Sequence, residues 1–256
     1  MRSQLRAALY LLSRSAYLKG AVVMTVLIAA FRIWVWFTAS PEANVSFTSS
    51  TGGIFGKGPI LESIAPFICC MVAAGMAGAD RKAVAVRMAC STDQGRAHYA
   101  ASRFVLVLVQ TTAVCLLTVV MGLVVWAVTC LPVDSLDYRS PWIALWLLSS
   151  ILMVATYAQV IQLLCWLTKS TAFSVFMAYL GMVLVQVFSQ ELVWRAGLYP
   201  DLAPLLEFFN LGTLIPSVRA VGATGAPNLL LLLAVPCVCL AITYALGQLF
   251  WAKRAV

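Results

Sequence analysis

Charge is what this chain has least of. Only 10% of its 256 residues are Asp, Glu, Lys or Arg, while 62% are hydrophobic. A soluble protein carries about 25% charged residues, so that class is excluded. Disorder is excluded as well, because disordered chains lack apolar residues rather than charges. Histidine is nearly missing: His98 is the only one and sits in a polar stretch, so a serine–histidine protease inside a membrane has no base in place. The eight cysteines are Cys69, Cys70, Cys90, Cys115, Cys130, Cys165, Cys237 and Cys239. Neither the adjacent Cys69 and Cys70 nor Cys237-x-Cys239 has the two-residue spacing of a zinc or redox motif, so neither a metal site nor a disulfide framework is expected. Glu62 has no second acid beside it, and an enzyme is not expected. A phosphate loop is missing too. Thr51-Gly-Gly-Ile-Phe-Gly-Lys57-Gly58 has Thr where the first Gly belongs and Gly where Ser or Thr must follow the Lys.

Long apolar runs are what the chain does have. Crossing about 30 Å of hydrocarbon as a helix takes about 20 residues. Six runs of about that size occur, at Gly20–Phe37, Ile60–Ala79, Phe104–Thr129, Trp142–Leu167, Ala172–Phe188 and Leu229–Trp251. With the mean hydropathy of +0.95, they make the expected fold all-α: a polytopic membrane protein with six transmembrane helices in a single domain spanning residues 1–256. An even number of spans puts both termini on one side. Twelve of the 17 basic residues fall on that side: Arg2, Arg6, Arg14 and Lys19, then Arg81, Lys82, Arg87, Arg96 and Arg103, then Lys169, Lys253 and Arg254. The other face has Arg32, Lys57, Arg139, Arg195 and Arg219 against seven acids. The positive-inside rule makes the basic face cytoplasmic, in a cell inner (plasma) membrane. The net +8 is therefore read as orientation and membrane-lipid attraction, not as a nucleic-acid footprint.

Between the spans, three segments stand out. In residues 1–19, Leu5, Leu9, Leu12 and Ala16 share one stripe and Arg2, Arg6, Tyr10, Ser13, Arg14 and Tyr17 a neighbouring arc, which predicts an interfacial amphipathic helix. Residues 80–103 form the longest cytoplasmic segment. Good helix formers run to Cys90, Ser91–Gly95 interrupts them, and Asp93 or a neighbouring hydroxyl caps a second helix, giving a projecting helical hairpin. On the outside, residues 189–228 contain stretches too apolar for a free loop and too short to cross; short re-entrant half-helices before the sixth span are expected.

Within the spans the polar residues are amides rather than charges: Gln110 in the third, Gln159 and Gln162 in the fourth, Gln186 in the fifth. An ion-coupled carrier keeps charges along its path, since each is expensive in hydrocarbon. Uncharged amides serve either as interhelical hydrogen-bonding groups or as a lining for an amphipathic substrate. Small residues in Met71-Val-Ala-Ala-Gly-Met-Ala-Gly78 allow helices to approach closely, and Pro236 is placed to kink the sixth span.

The order of interfacial helix, six spans, cytoplasmic hairpin after the second and half-helices before the sixth resembles an ABC type-2 exporter permease, as found in bacterial drug and bacteriocin-resistance exporters. The stretch from Gly78 through Asp80, Arg87 and Arg96 to Arg103 is similar to the acidic–basic turn and amphipathic segment of that family. The resemblance implies a permease that pairs with a second permease copy or a homologous one and docks on a dimer of separate ABC ATPase subunits. Arg81, Lys82, Val84, Arg87 and Met88 would be the ATPase-coupling residues, and Gln110, Gln159, Gln162 and Gln186 are the candidate substrate path. ATP and Mg would be bound by the partner ATPase and no cofactor by this chain. A hydrophobic or amphipathic cargo, such as a membrane-active peptide, drug or lipid, would be exported. The competing reading is an ion-coupled secondary transporter or channel.

Overall fold

In hydrocarbon a backbone N–H or C=O finds no water, so apolar runs of this length take the one form that pairs every such group within its own segment, the helix. The computed structural model describes residues 6, 10, 14–38, 65–82, 93–129, 143–181, 209–210, 215–216 and 229–253. Its helices are α1 (Ala16–Thr38), α2 (Ala65–Lys82), α3 (Asp93–Thr129), α4 (Ile143–Thr168), α5 (Thr171–Gly181) and α6 (Leu229–Lys253). Among the described residues the only strands are β1 (Phe209–Asn210) and β2 (Ile215–Pro216), paired antiparallel with Phe209 opposite Pro216 and Asn210 opposite Ile215.

Four helices contain segments long and apolar enough to cross a membrane: Ala16–Val35, Gly95–Val125, Leu147–Thr168 and Leu233–Trp251. The expected count of six is thereby reduced to four among the described residues. The second run is described only from Ala65 and the fifth only to Gly181, and both appear as shorter apolar helices. The expected half-helices of 189–228 lie outside the described residues, apart from the short strand pair.

Of the interfacial helix expected over 1–19, residues 6, 10 and 14–19 are among those described. Arg6, Tyr10 and Arg14 are helical and exposed, with the Arg14 guanidinium 4.9 Å from the Tyr10 ring centre. Ser15 is not helical, and its Oγ accepts a hydrogen bond from the Tyr17 N–H at 3.2 Å while its carbonyl takes the Lys19 N–H at 3.2 Å. Ser15 thus caps α1, so Ala16–Lys19 belong to the first span. The α4–α5 joint is equally local. Lys169 takes a left-handed backbone with φ of 56°, and the Ser170 hydroxyl accepts the Phe173 N–H at 3.2 Å, capping α5.

Helix α2 is the centre of the assembly. It packs most extensively on α4 and also touches α1 and α3, while α6 lies along α4 and α3. Every α2 residue from Ala65 to Asp80 is buried or half-buried except Met71 and Ala79. Such burial all round is possible because the helix is mostly Ala, Gly and Cys, whose short side chains let neighbouring backbones come close. Cys165 of α4 donates its thiol to the Ala74 carbonyl at 3.5 Å. A Cβ at Gly75 would collide with the Tyr17 ring of α1, and one at Gly78 with the Thr171 hydroxyl of α5. The close packing expected of Met71–Gly78 is what the helices show. Around this centre Ile68, Val72, Leu106, Val114, Met153 and Val154 form the main apolar core. Thr25, Thr118 and Thr156 each donate their hydroxyl to the carbonyl four residues earlier, which hides a polar group inside an apolar helix.

The outer faces are apolar as well. Val23, Leu27, Phe31 and Trp34 of α1 and Val238, Ile242 and Leu249 of α6 are exposed, the surface that hydrocarbon covers in a membrane protein. Pro236 lies within α6, which continues through it.

Because Gly75 seats the Tyr17 ring, Gly75→Val is expected to destabilise the protein by about 1–3 kcal/mol, the usual effect of overpacking. Thermal unfolding in detergent measures it, and adding Tyr17→Ala is expected to recover much of the loss. A Gly75→Val protein as stable as the parent contradicts this packing.

Candidate functional site

Opposite charges of two successive helices meet near the end of α2. Asp80 lies two residues before the end of α2, and Arg103 lies in the third turn of α3. Arg103 NH2 donates to Asp80 Oδ1 at 2.7 Å, and the Tyr99 hydroxyl donates to Asp80 Oδ2 at 3.0 Å. Tyr99 and Arg103 are four residues apart on one face of α3, which also places the guanidinium 5.1 Å from the Tyr99 ring centre. All three residues are buried. Both carboxylate oxygens therefore have a donor, and the cation has both a counter-ion and an aromatic face. A charge buried here without its partner would be expensive.

The same tyrosine joins this pair to an aromatic cluster. Its ring meets Trp251 of α6 edge-on with centroids 4.9 Å apart and Trp166 of α4 at 6.1 Å, and the two tryptophans meet at 4.6 Å. Ala77 of α2 and Cys165 of α4 complete the packing. Edge-to-face pairs contribute about 0.5–1.5 kcal/mol each beyond burial. Four helices are thus tied at one end.

Beside this knot a narrow cleft opens between α3, α4 and α6. Arg103, Gln159, Gln162, Trp166, Tyr244 and Gln248 are among the residues that line it. Its free volume is about 20 Å³, room for roughly one water molecule. Across it, Gln159 Nε2 donates to the Phe104 carbonyl at 3.3 Å, an α4-to-α3 bond, and Phe104 meets Tyr244 of α6 edge-on at 4.7 Å.

The candidate residues from the sequence are distributed unevenly. Gln159 and Gln162 share the cleft. Gln110 lies apart, sealed in the middle of α3 with neither its amide nitrogen nor its oxygen paired. Gln186 is outside the described residues, as are Val84, Arg87 and Met88. Arg81 and Lys82 form the last two positions of α2, but their side chains are not among those described. Arg103, counted from the sequence with the charges of the cytoplasmic loop, is buried within the helices instead. The sequence reading missed Asp80, Tyr99, Trp166 and Trp251 as a group. The available signal was an acid closing one apolar run and an arginine opening the next.

Among the described residues no group of three His, Cys, Asp or Glu is placed to hold a metal ion. The described cysteines Cys69, Cys70, Cys115, Cys165, Cys237 and Cys239 are free thiols.

No protein-family model matches the chain, and no curated protein matches it.

Two stability measurements test this end of the bundle. Arg103→Met, which leaves the Asp80 carboxylate buried without its cation, is expected to destabilise by about 3–5 kcal/mol. The double variant Asp80→Leu/Arg103→Met is expected to recover most of that loss in thermal unfolding, whereas additive losses contradict the pairing. Separately, Gln110→Met removes an amide that has no partner and is expected to raise stability by about 1–3 kcal/mol; a fall in melting temperature contradicts the unpaired placement.

Proposed function

We propose that the chain is the membrane-spanning permease subunit of an ATP-binding-cassette exporter, acting with a separate ATPase. The observation that carries this reading is the ion-pair clamp between α2 and α3. Residues 83–92 connect the end of α2 to the start of α3, and just inside those ends Asp80 is bonded to Arg103 and Tyr99. A push on the connecting segment is thereby delivered to α2 and α3 together. Through Tyr99, Trp166 and Trp251 it also reaches α4 and α6. A coupling element requires this stiffness, because energy from a docked ATPase is useful only where it shifts two packings of the helices relative to each other.

In this reading all six apolar runs of the sequence cross the membrane as helices. The twelve-charge face is cytoplasmic and holds both termini, and the membrane is the inner (plasma) membrane. Arg81, Lys82, Val84, Arg87 and Met88 contact grooves of an ATPase dimer, which binds ATP and Mg. A second permease subunit, identical or homologous, completes the pathway. The apolar lateral faces favour a hydrophobic or amphipathic cargo taken from the bilayer, with Gln110, Gln159, Gln162 and Gln186 as the groups that would meet it once the helices part. The chain itself has no catalytic residue in this reading.

The test is co-expression with a candidate ATPase, such as one encoded in a neighbouring reading frame, and reconstitution in vesicles. Arg87→Glu with Met88→Asp is expected to abolish co-purification and to lower cargo-stimulated ATP hydrolysis by at least about tenfold, equivalent to about 1.4 kcal/mol of lost coupling. Unchanged binding and transport would overturn the coupling role. Transport driven by an ion gradient without nucleotide would replace the exporter reading with a carrier.

A further inference from the structure

The cleft between α3, α4 and α6 is built for something smaller than a cargo molecule. We propose that it binds the phosphate of an anionic phospholipid headgroup, with Arg103 as the principal donor. This does not depend on the exporter reading.

Arg103 supplies the first argument. It is 7% exposed, and only NH2 is engaged by Asp80; Nε and NH1 are buried with no partner. Guanidinium N–H groups left unpaired away from water are costly, and each can donate a charge-assisted hydrogen bond to a phosphate oxygen. Arg103 also lines the cleft, where the amides of Gln162 and Gln248 stand among its neighbours. No carboxylate lines it among the described residues, and the nearby Asp80 already accepts from both Arg103 and Tyr99. Solvent does not reach the two free nitrogens in this conformation. An entering oxygen therefore has to part the side chains at the mouth, and a free volume of about 20 Å³ suits one oxygen rather than a whole cargo.

Position selects the lipid over other phosphate compounds. Trp166, Tyr244 and Trp251 lie on the cleft wall, and Lys169 and Lys253 follow the two tryptophans in the chain. Aromatic residues followed by basic ones mark the headgroup level of a span, and basic pockets between helices at that level hold anionic headgroups. Tyr244 is exposed, so the cleft opens sideways toward the bilayer, where acyl chains can stay in hydrocarbon while the phosphate enters.

The test uses the full chain purified in detergent, with phosphatidylglycerol, phosphatidylcholine or inorganic phosphate added, read by native mass spectrometry and thermal unfolding. Phosphatidylglycerol is expected to remain bound at one molecule per chain and to raise the melting temperature more than phosphatidylcholine does. Gln162→Leu/Gln248→Leu, which leaves the Asp80–Arg103 pair in place, is expected to weaken that binding about tenfold. Should this double variant fail to fold, Arg103→Lys serves instead, since it retains a cation opposite Asp80 and removes the Nε and NH1 donors; the same weakening is expected. Equal retention of the two lipids, or unchanged phosphatidylglycerol binding in a folded variant, overturns the proposal. Inorganic phosphate giving the full thermal shift to lipid-free protein, with no added effect of phosphatidylglycerol, overturns the lipid as the source and leaves the same donors to a free anion.

Discussion

One buried ion pair governs this molecule. Asp80 and Arg103 are opposite charges buried against each other between α2 and α3, and neither tolerates burial without the other. Holding them together fixes where α2 ends relative to α3. The Tyr99 hydroxyl, which completes the carboxylate's hydrogen bonding, brings its ring against Trp166 and Trp251 and so draws in α4 and α6. A polar requirement at one point thus becomes a packing arrangement for four helices.

The other constraint is steric. Water does not drive helices together inside hydrocarbon, so close contact between them must come from van der Waals packing. Helix α2 meets this with Ala, Gly and Cys along nearly its whole length, and the ring of Tyr17 and the hydroxyl of Thr171 rest where a glycine leaves space. The two devices divide the work: small residues set how near the helices come, and the ion pair sets their register at one end.

Several parts of this arrangement were legible in the residues. Apolar runs located the helices because hydrocarbon leaves the backbone no alternative, and Met71–Gly78 announced a packing face because close approach demands small side chains. The helix beginning near Asp93 was legible from the break before it. Other parts were not. The amphipathic stripe near the N-terminus gave no sign that Ser15 caps α1, because a cap is a local hydrogen bond that periodicity does not register. Arg103 read as a loop charge because hydropathy counts an arginine the same whether it is solvated or paired. Nothing in the spacing of Gln110, Gln159 and Gln162 distinguished the amide that bonds across helices from the one sealed without a partner.

Composition by itself determined that the chain forms helices long and apolar enough to cross a membrane, since backbone hydrogen bonding in hydrocarbon permits little else for runs so long and so poor in charge. Residue order determined where polar segments interrupt them. Only the tertiary structure decided which polar groups meet, because Asp80 and Arg103 are 23 positions apart and their meeting depends on how α2 and α3 pack. It likewise gathered Tyr99, Trp166 and Trp251 from three helices into one cluster. Burial makes such groups depend on their partners, and partners are a property of the packed chain rather than of any segment within it.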